Sequence, residues 1–157
     1  KLENDSIPTA KSILNDKNIK VILPIDHIAA EKIDAEAPSR IIDGNNIPNG
    51  WIGLDIGPKT RELFKKELAE AKTIVWNGPL GMFELPQFME GTSEIAEFIT
   101  GLNAATVIGG GDTAAAIYKL GLAGRMTHVS TGGGASLEFL EGKTLPGITA
   151  LTDKDQA

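Results

Sequence analysis

The sequence predicts an α/β fold, a partial domain built as three α/β/α layers around an open parallel sheet. Three observations predict it. Short apolar runs alternate with segments of helical periodicity, which is the pattern of successive strand–helix units. Several of those runs end directly in glycine, as in "TIVWNG" and "ATVIGGG". Helical patterns then follow these glycine-ended runs, directly after "GGG" and after a loop beyond "WNG". In open parallel sheets ligands bind beyond the carboxyl ends of the strands, so the glycine turns should line one edge.

The elements follow in order. A first helix should start at Asp5 or Ser6, with Pro8 in its first turn and Ile7, Ala10, Ile13 and Leu14 on one face. "IKVILPID", Ile19 to Asp26, is nearly continuously apolar and reads as a strand buried on both faces. The segment from Ala37 to Asn49 reads as an irregular connection with a minor strand at Arg40 to Asp43. "WIGLDIG" gives a short apolar stretch and a Gly57-Pro58 break, then a helix with Leu63, Phe64, Leu68 and Ala71 inward. After the strand in "TIVWNGPLG" comes a loop, then a helix with Ile95, Phe98, Ile99 and Leu102 at core spacing. "ATVIGGG" opens a helix that runs to Gly121. "MTHVSTGGGASLEFLEG" opens the last unit, with Leu137 and Leu140 inward and Gly142 as the helix stop.

Composition bounds the function. The chain has 157 residues, 41% hydrophobic and 23% charged, which is the profile of a soluble globular domain. No apolar run approaches the roughly 20 residues of a membrane helix, and "KLENDS" has no signal-peptide core. A net charge of -6 argues against a nucleic-acid surface. With no cysteine there is no disulfide, thiolate nucleophile or cysteine-ligated zinc, which fits a cytoplasmic location. Arginine occurs only at Arg40, Arg61 and Arg125, too scattered to clamp an anionic substrate. The chain starts at Lys1 and not at Met, so a longer parent is expected.

The glycine corners carry the chemistry. At Gly109-Gly110-Gly111-Asp112 the missing Cβ lets a ligand approach the main chain, and the helix N-terminus favours an anion. A tight turn with Asp112 as N-cap satisfies the same pattern. Gly109, Gly111 and Ala114 match G-x-G-x-x-A, but a dinucleotide site also wants an acid about 20 residues on, and "HVSTGGG" has none. "GLDIGPKT" misses the P-loop because Pro58 separates Gly57 from Lys59, which places Lys59 on the first turn of a solvated helix. "STGGGAS" supplies a second glycine-opened helix. Two such ends at one sheet edge could hold a phosphate and meet the charge that develops during its transfer. "WNGPLGMFELPQF" offers Trp76, Met82, Phe83, Leu85 and Phe88 as apolar area for a base, or as an ordinary loop on the core. His128 reads as a hydrogen-bonded core residue and His27 has no partner in sequence. Asp55 and Glu84 could be drawn as an acid/base pair, but their spacing does not favour it.

Taken together, "LPIDHIAAEK", "GWIGLDIGPKT", "VWNGPLGMFE", "VIGGGDTAAA" and "HVSTGGGASLEFLEGKTLPG" resemble, in order and spacing, the C-terminal nucleotide-binding lobe of phosphoglycerate kinase. The resemblance covers essentially the whole chain. It implies a Rossmann-like lobe and reversible, Mg²⁺-dependent phosphoryl transfer between ATP and 3-phosphoglycerate, giving ADP and 1,3-bisphosphoglycerate in glycolysis. By position, Gly53, Leu54 and Met82 would bound the adenine and Pro79 would pack near the nucleotide. Glu84 would bind the ribose, and Asn77 would lie by the phosphates. Gly110, Gly111 and Thr113 would contact the phosphates and Asp112 would serve the metal. Gly132, Gly133 and Gly134, with Gly111, would face the transferring group.

The same resemblance implies that residues 1–143 are most of this lobe and that 144–157 form a segment returning to an N-terminal lobe. That lobe would carry the Arg and His residues for 3-phosphoglycerate, and the start of this one a "GGAK" stretch. Neither is in the sequence given, so the chain alone is expected to be inactive. The intact enzyme would be monomeric, with no nucleic-acid or membrane partner. The alternatives are a nicotinamide-dependent oxidoreductase and a non-catalytic nucleotide-binding or interaction module.

Overall fold

Two small sheets, one antiparallel and one parallel, organise the chain. A computed structural model describes residues 3–130 and 132–152. After a single 3₁₀ turn at Asn4–Ser6 comes helix α1, Ile7–Asn15. Strands β1 (Asp26–Ala30), β2 (Ser39–Asp43) and β3 (Ile52–Ile56) form the antiparallel sheet in the order β2-β1-β3. Helix α2, Pro58–Leu68, leads to strand β4, Thr73–Asn77, and helix α3, Glu90–Thr100. Strand β5 (Ala105–Gly109), helix α4 (Gly111–Lys119), strand β6 (His128–Val129) and helix α5 (Gly133–Leu140) complete the parallel part, followed by the short α6, Pro146–Thr149. The parallel sheet runs β4-β5-β6, with Trp76 level with Ile108 and Ile108 level with Val129.

The parallel sheet carries the main core on one face. Ile74 and Trp76 of β4 and Ile108 of β5 pack against Ile95, Ala96 and Ile99 of α3 and Ile117 of α4. Phe64, Leu68, Phe98 and Leu102 close over this cluster, as their spacing predicts. A second, smaller core of Ala30, Ala37, Leu54 and Phe88 joins the antiparallel sheet to the loop before α3, with Met82 and Leu85 against it.

Several expectations change. "IKVILPID" is not a strand buried on both faces. Strand structure begins only at Asp26, and Ile19, Leu23 and Ile25 are each about half exposed (50%, 49% and 46%). A buried strand needs ladder partners on both sides, and residues 19–25 are in no strand pairing. Helix α1 forms where predicted, but none of its described residues is buried, so Ile13 and Leu14 face no core. The far face of the parallel sheet is only loosely covered. Leu137 and Leu140, expected inward, are exposed, and Leu137, Phe139 and Leu140 line an open apolar cleft of about 530 Å³ over Val75 and Val107. His128 is likewise exposed in that cleft and not in a core. The minor strand near Arg40 is present, and Arg40 stacks 3.7 Å above the Trp51 ring. Gly142 ends α5 with φ +76°, a backbone angle that glycine takes without strain. No helix is long and apolar enough to cross a membrane among the described residues. Of the C-terminal segment 144–157, residues 153–157 lie outside the described residues.

Candidate functional site

The site grows from the carboxyl ends of β4 and β5. Because the two strands are parallel and in register from Thr73/Ala105 to Asn77/Gly109, both release their chains at the same edge. After β4 the chain turns at Gly78, φ +104°, and after β5 at Gly110, φ +87° with ψ 139°. A side chain at 110 would also collide with Asn77 Oδ1, so position 110 requires glycine on both counts. Thr113, buried in the first turn of α4, accepts the Gly78 N–H on its hydroxyl at 2.7 Å. This bond ties the two glycine loops together and leaves the Thr113 O–H as a donor. Gly111 and Asp112 sit exposed at the N-terminus of α4, beside the free N–H groups of that helix end.

Beyond Gly78 the loop is suspended from two places. Leu80 and Gly81 donate their N–H groups to the buried Thr92 hydroxyl at 3.0 and 3.3 Å. Met82 donates to the Leu54 carbonyl at 2.8 Å. The result is a cleft of about 490 Å³ whose walls include Gly53, Leu54 and Met82, predicted for the base, and Pro79, predicted to pack near the nucleotide. Sequence reasoning missed Pro24, His27, Ile47 and Leu80, which share this cleft. The first three come from other segments with nothing local to mark them, whereas Leu80 lies between the predicted Pro79 and Met82 and could have been read with them. Of the apolar residues in "WNGPLGMFELPQF", Trp76 and Phe88 belong to the cores, with Trp76 Nε1 donating to the Gly78 carbonyl at 2.6 Å. Glu84 is exposed and lies outside the cleft, on a segment whose Phe83 carbonyl accepts from Lys119 Nζ at 2.8 Å.

The third corner is built differently. Gly132 precedes α5 with φ -95° and ψ 66°, Gly133 opens the helix and Gly134 follows, exposed. Thr131 lies outside the described residues. Ser136 Oγ lies 2.6 Å from Ser130 Oγ, and Gly132 lines the open apolar cleft together with Asn77. The predicted residues other than Glu84 thus fall at one cleft, at a glycine corner tied by Thr113, and at a more open one.

Two buried carboxylates cap the helices of this half of the chain, and of the two only Asp55 lines the cleft. Asp26 accepts from the N–H groups of Lys59 and Thr60 at 2.9 and 2.7 Å and from the Thr60 hydroxyl at 2.6 Å, capping α2. Burial pushes its carboxyl up, but the Thr60 hydroxyl, those two N–H groups and the Lys59 charge together hold it below the usual range. Lys59 itself lies exposed on the first turn, paired with Asp43 at 2.6 Å, as the failed P-loop match predicts. Asp55 accepts from Ile56 and Gly91, each at 2.8 Å, and burial raises its carboxyl to about 6 despite those bonds. Nearby, Arg61 joins α2 to Glu90 and Glu94 of α3. Its Nε lies 2.6 Å from Glu94 but off the N–H axis, so that contact is Coulombic more than a directed bond.

A family model for phosphoglycerate kinase matches residues 1–143. The chain belongs to the phosphoglycerate kinase family. It is 53% identical over 156 residues to phosphoglycerate kinase of Clostridium tetani, covering 98% of this chain and 39% of that protein. With the phosphoglycerate kinase of Oenococcus oeni the identity is 54% over 155 residues, covering 97% and 38%. The solved phosphoglycerate kinase of Coxiella burnetii superposes with a TM-score of 0.88 at 40% identity, over 96% of this chain and 40% of that one. That of Pyrococcus horikoshii gives 0.80 at 36% identity, over 94% and 36%. The chain therefore spans about two fifths of the length of the phosphoglycerate kinases it matches.

Among the described residues no group of three or more His, Asp or Glu side chains could hold a metal alone. A lone exposed carboxylate at a helix N-terminus fits Mg²⁺ only when nucleotide phosphates supply further oxygens, which is how Mg²⁺ is usually held.

Proposed function

We propose that this chain forms the nucleotide-binding part of a phosphoglycerate kinase, acting in the cytoplasm on ATP and 3-phosphoglycerate. The observation that carries the proposal is the Thr113–Gly78 bond. It fixes the anion-favouring end of α4 relative to the loop whose other end, Pro79 to Met82, walls a base-sized cleft. A base and its phosphates need those two features at a set separation.

In this reading Gly53, Leu54 and Met82 enclose the adenine, Pro79 packs beside it and Glu84 reaches the ribose. Asn77, Gly110 and Gly111 present polar main-chain and side-chain groups to the phosphates, while the ends of α4 and α5 stabilise the charge that spreads during transfer. Thr113 holds the loops together, and its O–H remains to add a phosphate contact. Asp112 would hold Mg²⁺ jointly with the phosphates. When bound, the ion neutralises phosphate charge, and it converts the repulsion between Asp112 and the nucleotide into attraction. Phosphoryl transfer depends on convergent cations, and the scattered arginines of this sequence do not supply them. The chain by itself is expected to bind nucleotide weakly and to turn over negligibly.

Calorimetric titration with ADP and NADH, each with and without Mg²⁺, tests the reading. The expected result is Mg²⁺-dependent ADP binding, no NADH binding, and a loss in Asp112→Asn that falls far more on Mg·ADP than on metal-free ADP. Binding of NADH, or ADP binding indifferent to Mg²⁺, would overturn it.

A further inference from the structure

We infer that Asp55 is a positioning residue for the nucleotide cleft: its buried carboxylate locks together the two points from which the Leu80–Met82 wall hangs. This rests on the nucleotide reading above. The wall is held by Thr92 through Leu80 and Gly81, and by Leu54 through Met82. Thr92 directly follows Gly91, whose N–H donates to Asp55 Oδ2, and Leu54 directly precedes Asp55. One side chain therefore fixes the distance between both anchors.

The space around the carboxylate points the same way. A Cβ on Gly81 or on Gly91 would collide with Asp55 Oδ1, so both positions are kept clear for it. Helix α3 has no side-chain cap of its own, and Asp55 supplies one from β3. The charged groups acting on Asp55 are Arg61 from α2, which favours its ionised form, and Glu90 from α3, which opposes it. His27 from β1 lines the same cleft. Ionised Asp55 can accept both N–H groups at once. An amide must turn its NH2 toward one of them, and the protonated acid keeps only a weaker, neutral hydroxyl acceptor there. The wall is thus held best by the form that burial disfavours.

Asp26 is the control. It caps α2 as Asp55 caps α3, and a Cβ on Gly57 would collide with it, but no bond links it to the Leu80–Met82 wall. Mg·ADP affinity and thermal unfolding should be measured for the unmodified chain, Asp55→Asn and Asp26→Asn. Both variants lower the unfolding temperature. Asp55→Asn should also weaken ADP by about tenfold, the effect of one lost charge-assisted bond, while Asp26→Asn leaves affinity within about twofold. Equal losses in the two variants, or none in either, would overturn the inference.

A second measurement needs no variant. In the unmodified chain, the amide resonances of Leu80, Gly81 and Met82 should shift with pH together with those of Gly91 and Ile56. Static wall amides while Gly91 titrates would overturn the positioning role even if Asp55→Asn fails to fold. Failure of the unmodified chain to bind ADP would instead count against the nucleotide reading, leaving the amide titration to decide the role of Asp55.

Discussion

The glycine corners after β5 and β6 carry the same letters and are not the same structure. At the corner after β5, Gly110 has φ +87°, a Cβ there would strike Asn77, and the following helix buries Thr113, Ala114, Ala116 and Ile117. At the corner after β6, Gly132 has an ordinary negative φ, and a Cβ on Gly132 or Gly134 would meet nothing within 4 Å. The helix it opens leaves Leu137, Phe139 and Leu140 exposed. The first corner needs glycine to fold. At the second, Gly132 and Gly134 meet no such constraint. The same letters are therefore required by the backbone in one place and not, at these two positions, in the other.

The comparison can be broken most sharply at Gly110. Gly110→Ala forces a side chain into a backbone region reserved for glycine and should cost about 3 kcal/mol, read as a large drop in the denaturant midpoint. A neutral result would mean that the corner is softer than its geometry implies.

Next in size is a pH effect at the anchored side. Asp55 titrates near 6 in the native state against an ordinary 3.8. Its contribution to stability is therefore fully present below the lower value and lost as pH rises through the higher one. Compared with Asp55→Asn, the unmodified chain should lose on the order of 2 kcal/mol of relative stability between about pH 4 and about pH 7. Hydrogen exchange should report the change at Gly78 and not at Ser136. A response at both amides would erase the distinction between the corners.

Smaller again is Thr113→Val, which keeps shape but removes the acceptor for Gly78 N–H. It should cost about 1 kcal/mol in thermal unfolding and weaken ADP more than that loss of stability explains. Smallest is Gly132→Ala, expected to change stability by no more than about 0.5 kcal/mol while still weakening nucleotide binding. A stability loss as large as that of Gly110→Ala would show that the second corner is also required by the fold.

Much of the fold was legible in local pattern. Helices α2 and α3 fall where their apolar spacing predicts, and α4 where its opening glycines do, because each packs apolar side chains against the parallel sheet within this chain. By the same logic Ile19 to Ile25 does not form the predicted strand, and α1 forms but stays unburied. Apolar letters specify a wish to be buried, and the structure shows no partner among the described residues to receive them. The glycine corners were visible as candidate anion sites, and Gly53, Leu54, Pro79 and Met82 do share a cleft. The Asx and Thr contacts across the molecule, such as Asp55 to Gly91 and Thr113 to Gly78, carry no sequence signal, since the partners lie 36 and 35 positions apart.

The sequence by itself determined the strand–helix alternation, the glycine turns at one sheet edge and the family, because these depend on local periodicity and on the order of motifs. Only the tertiary structure decided which glycines are structural, that Thr113 serves as a tie, and that Asp26 and Asp55 cap helices from neighbouring strands. Those facts rest on donors and acceptors brought together by packing, where a buried polar group must find a partner wherever the chain happens to place one.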